Sequence, residues 1–252
     1  MTELLQVDHL SKQYPGFTLQ DISFSVKPGR IMGLIGKNGA GKSTTLKSIL
    51  NMVRPESGTV TMLGKDFYAN EKECKQDIGV VFGGIDFYPL KKLSAITAVT
   101  RRFYKDWDQE RYNDYLCQFS LDENKQFRSL SNGMKVKYLL ALALSHHATL
   151  YLLDEPTSGL DPVSRDEILH IFTRIVKDGK RSVLFSTHIT SDLDRYADDI
   201  TYIQNGKVLQ SADKDTFLHS FEHLKTAEDT CPLTLEEIML RTEGRTLDET
   251  AL

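Results

Sequence analysis

Short apolar runs alternate with turn residues over the first third of the chain. Leu4–Leu10 and Ile22–Val26 have strand character; the turn Lys27-Pro28-Gly29-Arg30 then leads into Ile31-Met32-Gly33-Leu34-Ile35. This last run is apolar on both faces, which predicts a strand buried in the middle of a sheet, and it ends in a glycine-rich loop. Ser43 to Leu50 is predicted helical, Arg54-Pro55-Glu56-Ser57-Gly58 breaks the helix, and Thr59–Leu63 is a further strand. From about Tyr88 to His147 the spacing becomes helical and gathers most of the aromatics, among them Phe103, Tyr104, Trp107, Tyr112, Tyr115 and Phe119. Asp108 is positioned as the N-cap of a helix whose Tyr112, Tyr115 and Phe119 form a core-facing stripe, and Tyr104 and Trp107 are left as partner-facing candidates.

Two more buried strands, Thr149–Leu153 and Val183–Thr187, flank a helical stretch from Ser164 to Lys177, and their unbroken apolar character points to a parallel sheet. Ile200–Ile203, Asn205-Gly206 and Lys207–Gln210 read as a hairpin with a type I′ turn. From about Ser211 the chain is polar and helical, and Thr234-Leu235-Glu236-Glu237 has capping-box spacing ahead of Ile238-Met239-Leu240.

Composition adds exclusions. The chain has 252 residues, 40% hydrophobic and 26% charged, which fits one to two globular domains and excludes disorder as its overall description. With 31 basic against 35 acidic side chains the net charge is −4, so a broadly basic nucleic-acid surface is not expected. The apolar stretch Tyr138–Leu144 stops at Ser145, short of the ~20 residues that span a bilayer. The opening MTELLQVDHLSKQY lacks a signal-peptide core, and a cytosolic location is expected. Cys74, Cys117 and Cys231 have no metal or disulfide spacing and are expected to be buried or half-buried thiols. His146 and His147 are read as helix-end residues whose charge would favour the C-terminal dipole.

The chemistry starts with Gly36-Lys37-Asn38-Gly39-Ala40-Gly41-Lys42-Ser43-Thr44, which satisfies GxxxxGK[ST] between a buried strand and a helix. Glycines let backbone N–H groups turn inward around a phosphate, and the helix N-terminus adds about half a positive charge. Lys42 is expected on the β- and γ-phosphates and the Ser43 hydroxyl on Mg²⁺. Leu150-Tyr151-Leu152-Leu153 then runs into Asp154 and Glu155 at a strand end. Asp154 is the expected metal-sphere residue; Glu155, pointing the other way, is the expected general base for water.

Together with three further stretches and one aromatic, the chain resembles the ATP-binding subunits of ABC transporters over about Leu4 to Gln210. Leu130-Ser131-Asn132-Gly133-Met134-Lys135 resembles the signature loop, Ser158-Gly159-Leu160-Asp161 the D-loop, and His188 in Ser186-Thr187-His188 the switch histidine; Tyr14 matches the aromatic that stacks on adenine. The resemblance implies an α/β P-loop NTPase of ABC type: a mixed sheet core with an N-terminal antiparallel β part, a helical subdomain inserted at about 88–147, an ATPase domain over 1–210 and a helical extension over 211–252. It further implies ATP and Mg²⁺ as ligands, a γ-phosphate contact for His188, and signature-loop contacts through Ser131 and Gly133 to the nucleotide of a second ATP-binding subunit, in a homodimer or heterodimer.

Two departures stand out. Gly83, followed by Gly84, occupies the place where the family usually has a Gln that touches Mg²⁺ and links the site to the membrane partner, with Asp86 as a possible substitute. Asn132 and Met134 replace the usual Gly and Gln, and Asn tolerates left-handed backbone angles better than most residues, so the turn is expected to survive. Phe103-Tyr104-Lys105-Asp106-Trp107, Gly133-Met134-Lys135-Val136-Lys137 and Ser158-Gly159-Leu160-Asp161-Pro162 are similar to bacterial exporter-type subunits of peptide-antibiotic efflux and cell-envelope-stress systems, including the Ytr-type. The implied function is ATP hydrolysis that powers a separate membrane permease from the inner face of the membrane, without nucleic acid. The alternatives are a catalytically weak half of a heterodimer and a soluble ABC protein with no transport role.

Overall fold

The structure, a computed structural model, describes residues 3–82, 88–226, 229 and 231–250. The chain opens with the antiparallel hairpin of β1 (Leu5–Tyr14) and β2 (Phe17–Val26), followed by β3 (Ile31–Ile35), α1 (Lys42–Ile49), β4 (Ser57–Met62) and β5 (Lys65–Asp66). A short α2 (Glu71–Cys74) leads to β6 (Ile78–Phe82). Then come α3 (Leu93–Thr100), α4 (Gln109–Gln118) and α5 (Asn132–Leu144). The remainder is β7 (Leu150–Asp154), α6 (Pro162–Val176), β8 (Ser182–Thr187), α7 (Thr190–Tyr196), β9 (Asp199–Gln204), β10 (Lys207–Asp213), α8 (Lys214–Ser220) and α9 (Leu235–Thr250).

These strands form an antiparallel sheet in the order β2-β1-β4-β5 and a mixed sheet in the order β10-β9-β3-β8-β7-β6. In the mixed sheet, among the described residues, the β9–β10 pairing is antiparallel and the others are parallel. The apolar runs follow from this layering. Ile31 and Ile35 face one core with Tyr151, Leu153, Val183 and Phe185, whereas Met32 and Leu34 face a second core with Leu150, Leu152 and Leu184. With both faces covered, these runs are apolar on both. The expected mixed core, antiparallel N-terminal part and helical stretch after β6 are all present.

Several boundaries move for identifiable reasons. β1 runs on to Tyr14 through a bulge at His9 (φ 52°), because its polar outer half leaves the core and loses its apolar signal. The helical reading from Ser211 begins at Lys214, since Ser211–Asp213 still pair with Asp199–Thr201. α8 and α9 then add Phe217, Leu235 and Ile238 to the core that holds Tyr202. Asp108 caps α4 as expected, accepting from Arg111 N–H at 2.9 Å; Tyr112 and Phe119 are buried and Tyr115 half-buried. Cys74 is buried, but Cys117 and Cys231 are exposed. Gly83, Gly84 and Asp86 lie outside the described residues.

Candidate functional site

The loop from Gly36 to Ser43 joins β3 to α1, and three of its residues are shaped by close approach. A Cβ on Gly36 would lie 2.2 Å from the Ile203 carbonyl oxygen, and one on Gly41 2.9 Å from Leu19; Gly41 also caps α1 with φ 118°. Ala40 is buried in the core between the sheets, and its carbonyl accepts from Gly206 N–H at 2.9 Å. Lys37, Asn38 and Gly39 are exposed at the tip, and Ser43 and Thr44 are half-buried. The first turn of α1 carries no acidic side chain, so its N-terminal dipole is left for an anion. Lys42 is 5% exposed and bends back over the loop, donating from Nζ to the Gly36 carbonyl at 2.7 Å and the Lys37 carbonyl at 3.3 Å.

The paired acids close over this loop from the end of β7. Ser43 donates its hydroxyl to Asp154 Oδ1 at 2.9 Å, and Ser186 donates to the same oxygen at 2.6 Å. Glu155 takes the left-handed conformation, with φ 48°, and its N–H donates to Ser186 Oγ at 2.9 Å. That turn separates the two carboxylates: Asp154 faces Ser43, while Glu155 sets Oε1 3.2 Å from Lys42 Nζ and Oε2 2.9 Å from His188 Nδ1. Lys42, Ser43, Asp154, Glu155 and His188, from three separate stretches, are therefore one connected cluster.

The donor set suits a hard cation. A serine hydroxyl and a carboxylate oxygen 2.9 Å apart beside a glycine-rich loop are oxygen ligands of the kind Mg²⁺ takes. Among the described residues no group of three or more His, Cys, Asp or Glu side chains could hold a metal by itself. The remaining ligands would come from phosphate oxygens and water, as is usual for this ion.

Sequence reasoning missed two supporting residues. Ser186 is a fully buried hydroxyl in an apolar strand, and a buried hydroxyl implies a partner; the parallel register sets it opposite Asp154. Asp192, on α7, accepts from Thr157 Oγ1 at 2.8 Å and pairs with Arg165 Nε at 3.0 Å, tying the turn after Glu155 to the helix after His188. Burial pushes its carboxyl up, against the opposing pull of Thr157 and Arg165. Its signal was faint, because α7 is too short to show a period.

The other candidates lie apart from this cluster. Ser131 caps α5, accepting from Met134 N–H at 3.2 Å. A Cβ on Gly133 would lie 3.2 Å from Ser164 Oγ and one on Gly159 3.9 Å from Asn132, so the signature segment sits against residues 159–164. Asn132 is the first residue of α5 and has no positive φ; the left-handed turn expected there is not needed, because Ser131 makes the corner in extended conformation. Tyr14, 37% exposed, ends the β1–β2 hairpin opposite Phe17, and it is Phe17 that borders Gly41.

His146 overturns its expectation. It is buried, stacks on Tyr104 with ring centroids 3.7 Å apart, and burial pulls its pKa down to about 4, so it carries no charge for the helix dipole at neutral pH. Tyr104 is thereby occupied, and Trp107 packs against the core; the exposed apolar residues nearby are Val99 and Phe103.

Residues 19–158 match the family model described as ABC transporter. The chain is 29% identical over 228 residues to the ABC transporter ATP-binding protein YtrB of Bacillus subtilis, covering 90% of this chain and 78% of that protein. It is likewise 29% identical to the bacitracin transport ATP-binding protein BcrA of Bacillus licheniformis, covering 89% and 72%. A solved structure of an ATP-binding subunit of an ABC transporter superposes with a TM-score of 0.82 at 27% identity, covering 95% of this chain and 99% of that one.

Proposed function

The chain belongs to the ABC transporter family as an ATP-binding subunit, and from that premise we propose that it hydrolyses ATP to power a separate membrane permease. The observation that carries the proposal is the cluster in which Glu155 touches both Lys42 and His188 beside the Ser43–Asp154 pair. In this reading the backbone of residues 36–44 and the Lys42 ammonium hold the triphosphate. Ser43 and Asp154 hold Mg²⁺, which when bound offsets charge on the phosphate oxygens. Glu155 accepts the proton of the attacking water; His188, hydrogen-bonded to it, fixes the direction of that carboxylate and contacts the γ-phosphate. Tyr14 offers its exposed ring to the base. Ser131 and Gly133, set apart at the head of α5, serve the nucleotide of a second ATP-binding subunit, so that the closed dimer carries the complete site.

No helix among the described residues is long and apolar enough to cross a membrane, which supports a separate permease as the anchor at the cytoplasmic face. The exposed Val99 and Phe103 beside a cavity of about 620 Å³ give that partner an apolar surface to meet. Likeness to BcrA, named for bacitracin transport, supports efflux of a peptide, antibiotic or other envelope-active compound as the task. The test is ATP hydrolysis by the purified chain with and without its permease. Partner-stimulated turnover that Glu155→Gln abolishes is the expected result; turnover that survives Glu155→Gln overturns the assigned base.

A further inference from the structure

The C-terminal helix reaches the phosphate loop. α9 starts under a reciprocal cap, with Thr234 N–H donating to Glu237 Oε2 at 2.8 Å and Glu237 N–H to Thr234 Oγ1 at 3.3 Å. Leu235 and Ile238 anchor its first turn in the core. Arg241 then grips both carboxylate oxygens of Asp229, at 2.6 and 2.8 Å, and donates to the Leu224 carbonyl at 2.9 Å. Held this way, the next two residues land on β9. The Tyr202 hydroxyl lies 2.9 Å from Thr242 Oγ1 and 3.2 Å from Glu243 Oε1, and Gln204 Nε2 donates to the Thr242 carbonyl at 3.4 Å.

Tyr202 pairs with Ile35, the residue directly before the phosphate loop, so the seat of α9 is fixed to the strand that carries the loop. Glu243 Oε2 consequently lies 2.7 Å from Lys37 Nζ, on the second residue of that loop. The Glu243 side chain is 18% exposed, and a carboxylate withdrawn from water that far needs a cation or donors nearby. It sits, however, beside a loop whose backbone and lysines attract anions.

We infer that Glu243 is a positioning residue of the nucleotide site: it draws Lys37 to the α9 side of the loop, so a nucleoside triphosphate and the C-terminal helix compete for one ammonium. The inference rests on the loop being the ATP site, as proposed above. The phosphates attract Lys37 and repel Glu243, and both forces act to part the pair. Because coupling between two equilibria is reciprocal, α9 weakens triphosphate binding by the same factor by which the triphosphate loosens α9.

The test measures Mg-ATP affinity by titration calorimetry and amide hydrogen exchange along α9. Glu243→Gln removes the charge and keeps an oxygen for Tyr202; it is expected to bind Mg-ATP about three- to fivefold tighter, the scale of a half-exposed ion pair. The gap should close as salt is raised. Arg241→Gln unpins the helix without touching the loop and is expected to shift affinity in the same direction. In the wild type, ATP is expected to speed exchange at residues 241–244. Unchanged or weaker ATP binding in both variants, with exchange indifferent to ATP, overturns the inference and leaves the ATP site standing. A gain in affinity that is insensitive to salt overturns the electrostatic role. A wild type that binds no ATP overturns both the inference and the reading beneath it.

Discussion

The Ser186 hydroxyl donates to Asp154 Oδ1 at 2.6 Å from a strand position with no exposed surface. Ser186 Oγ in turn accepts the Glu155 N–H, so one side chain sets the carboxylate that faces Ser43 and steadies the backbone of the carboxylate that faces His188. Glu155 needs that support, since a non-glycine residue at φ 48° costs about 1–2 kcal/mol. Ser186→Ala is expected to lower the kcat of ATP hydrolysis about tenfold while KM for ATP stays within about twofold, because the lost bond orients groups that act in the transition state. Urea unfolding should show a loss of about 1–3 kcal/mol from the unsatisfied partners. A raised KM at unchanged kcat would refute the positioning role.

The pair of oxygens at Ser43 and Asp154 makes a separate expectation about the metal. Asp154→Asn keeps an oxygen for the Ser43 and Ser186 hydroxyls but removes the charge that holds a divalent ion. ATP affinity of the wild type should fall when EDTA removes Mg²⁺, whereas the variant's affinity should be low and indifferent to EDTA. Calorimetric titrations with and without Mg²⁺ measure both, and a variant that keeps the full Mg²⁺ response would remove Asp154 from the metal sphere.

Much of this arrangement was legible because it is locally encoded. The runs at Ile31–Ile35 and Leu150–Leu153 are apolar on both faces, the glycine loop stands between strand and helix, and Asn205 and Gly206 take the positive φ values of 47° and 76° that their dipeptide predicts. What the sequence hid depends on distant partners. Ser186 reads as one polar residue in an apolar strand until register sets it against Asp154, and His146 reads as a charged helix end until Tyr104 folds over it. Glu243 reads as a solvated helix charge; only the pairing of β3 with β9 brings it to Lys37.

The hairpin tip at Gly206 should be among the least tolerant positions of the site. Its N–H donates to the Ala40 carbonyl and its carbonyl accepts from Gln20 N–H at 2.7 Å, so it is clamped between the phosphate loop and β2. A Cβ would fall 1.9 Å from the Thr18 carbonyl oxygen, and backbone cannot swing aside as a flexible side chain can. Gly206→Ala is expected to cost about 2–4 kcal/mol and to weaken ATP binding with it. Gly16→Ala is the control: φ is +82° there too, but none of the described residues lies within 4 Å, so strain alone applies, about 1–2 kcal/mol, with ATP affinity unchanged. Equal losses in the two variants would argue against the clamp.

Stability in acid should report on His146. Desolvation, the largest cause, lowers its pKa from 6.5 to about 4, against the weaker pull of the Gln76 carbonyl. Between those two values the unfolded chain binds a proton that the folded chain refuses, so stability is full above the unfolded pKa and declines as pH falls from about 6.5 towards about 4. At 1.36 kcal/mol per pKa unit the loss approaches about 3 kcal/mol by the lower limit. His146→Gln has no such proton to bind. It should be less stable than the wild type at pH 7, having lost the ring that stacks on Tyr104, yet its stability should fall less steeply between about pH 6.5 and 5. Urea titrations of both proteins across that range decide the matter. Parallel pH profiles would mean that another group governs the acid response, and that the stack admits a charged imidazole.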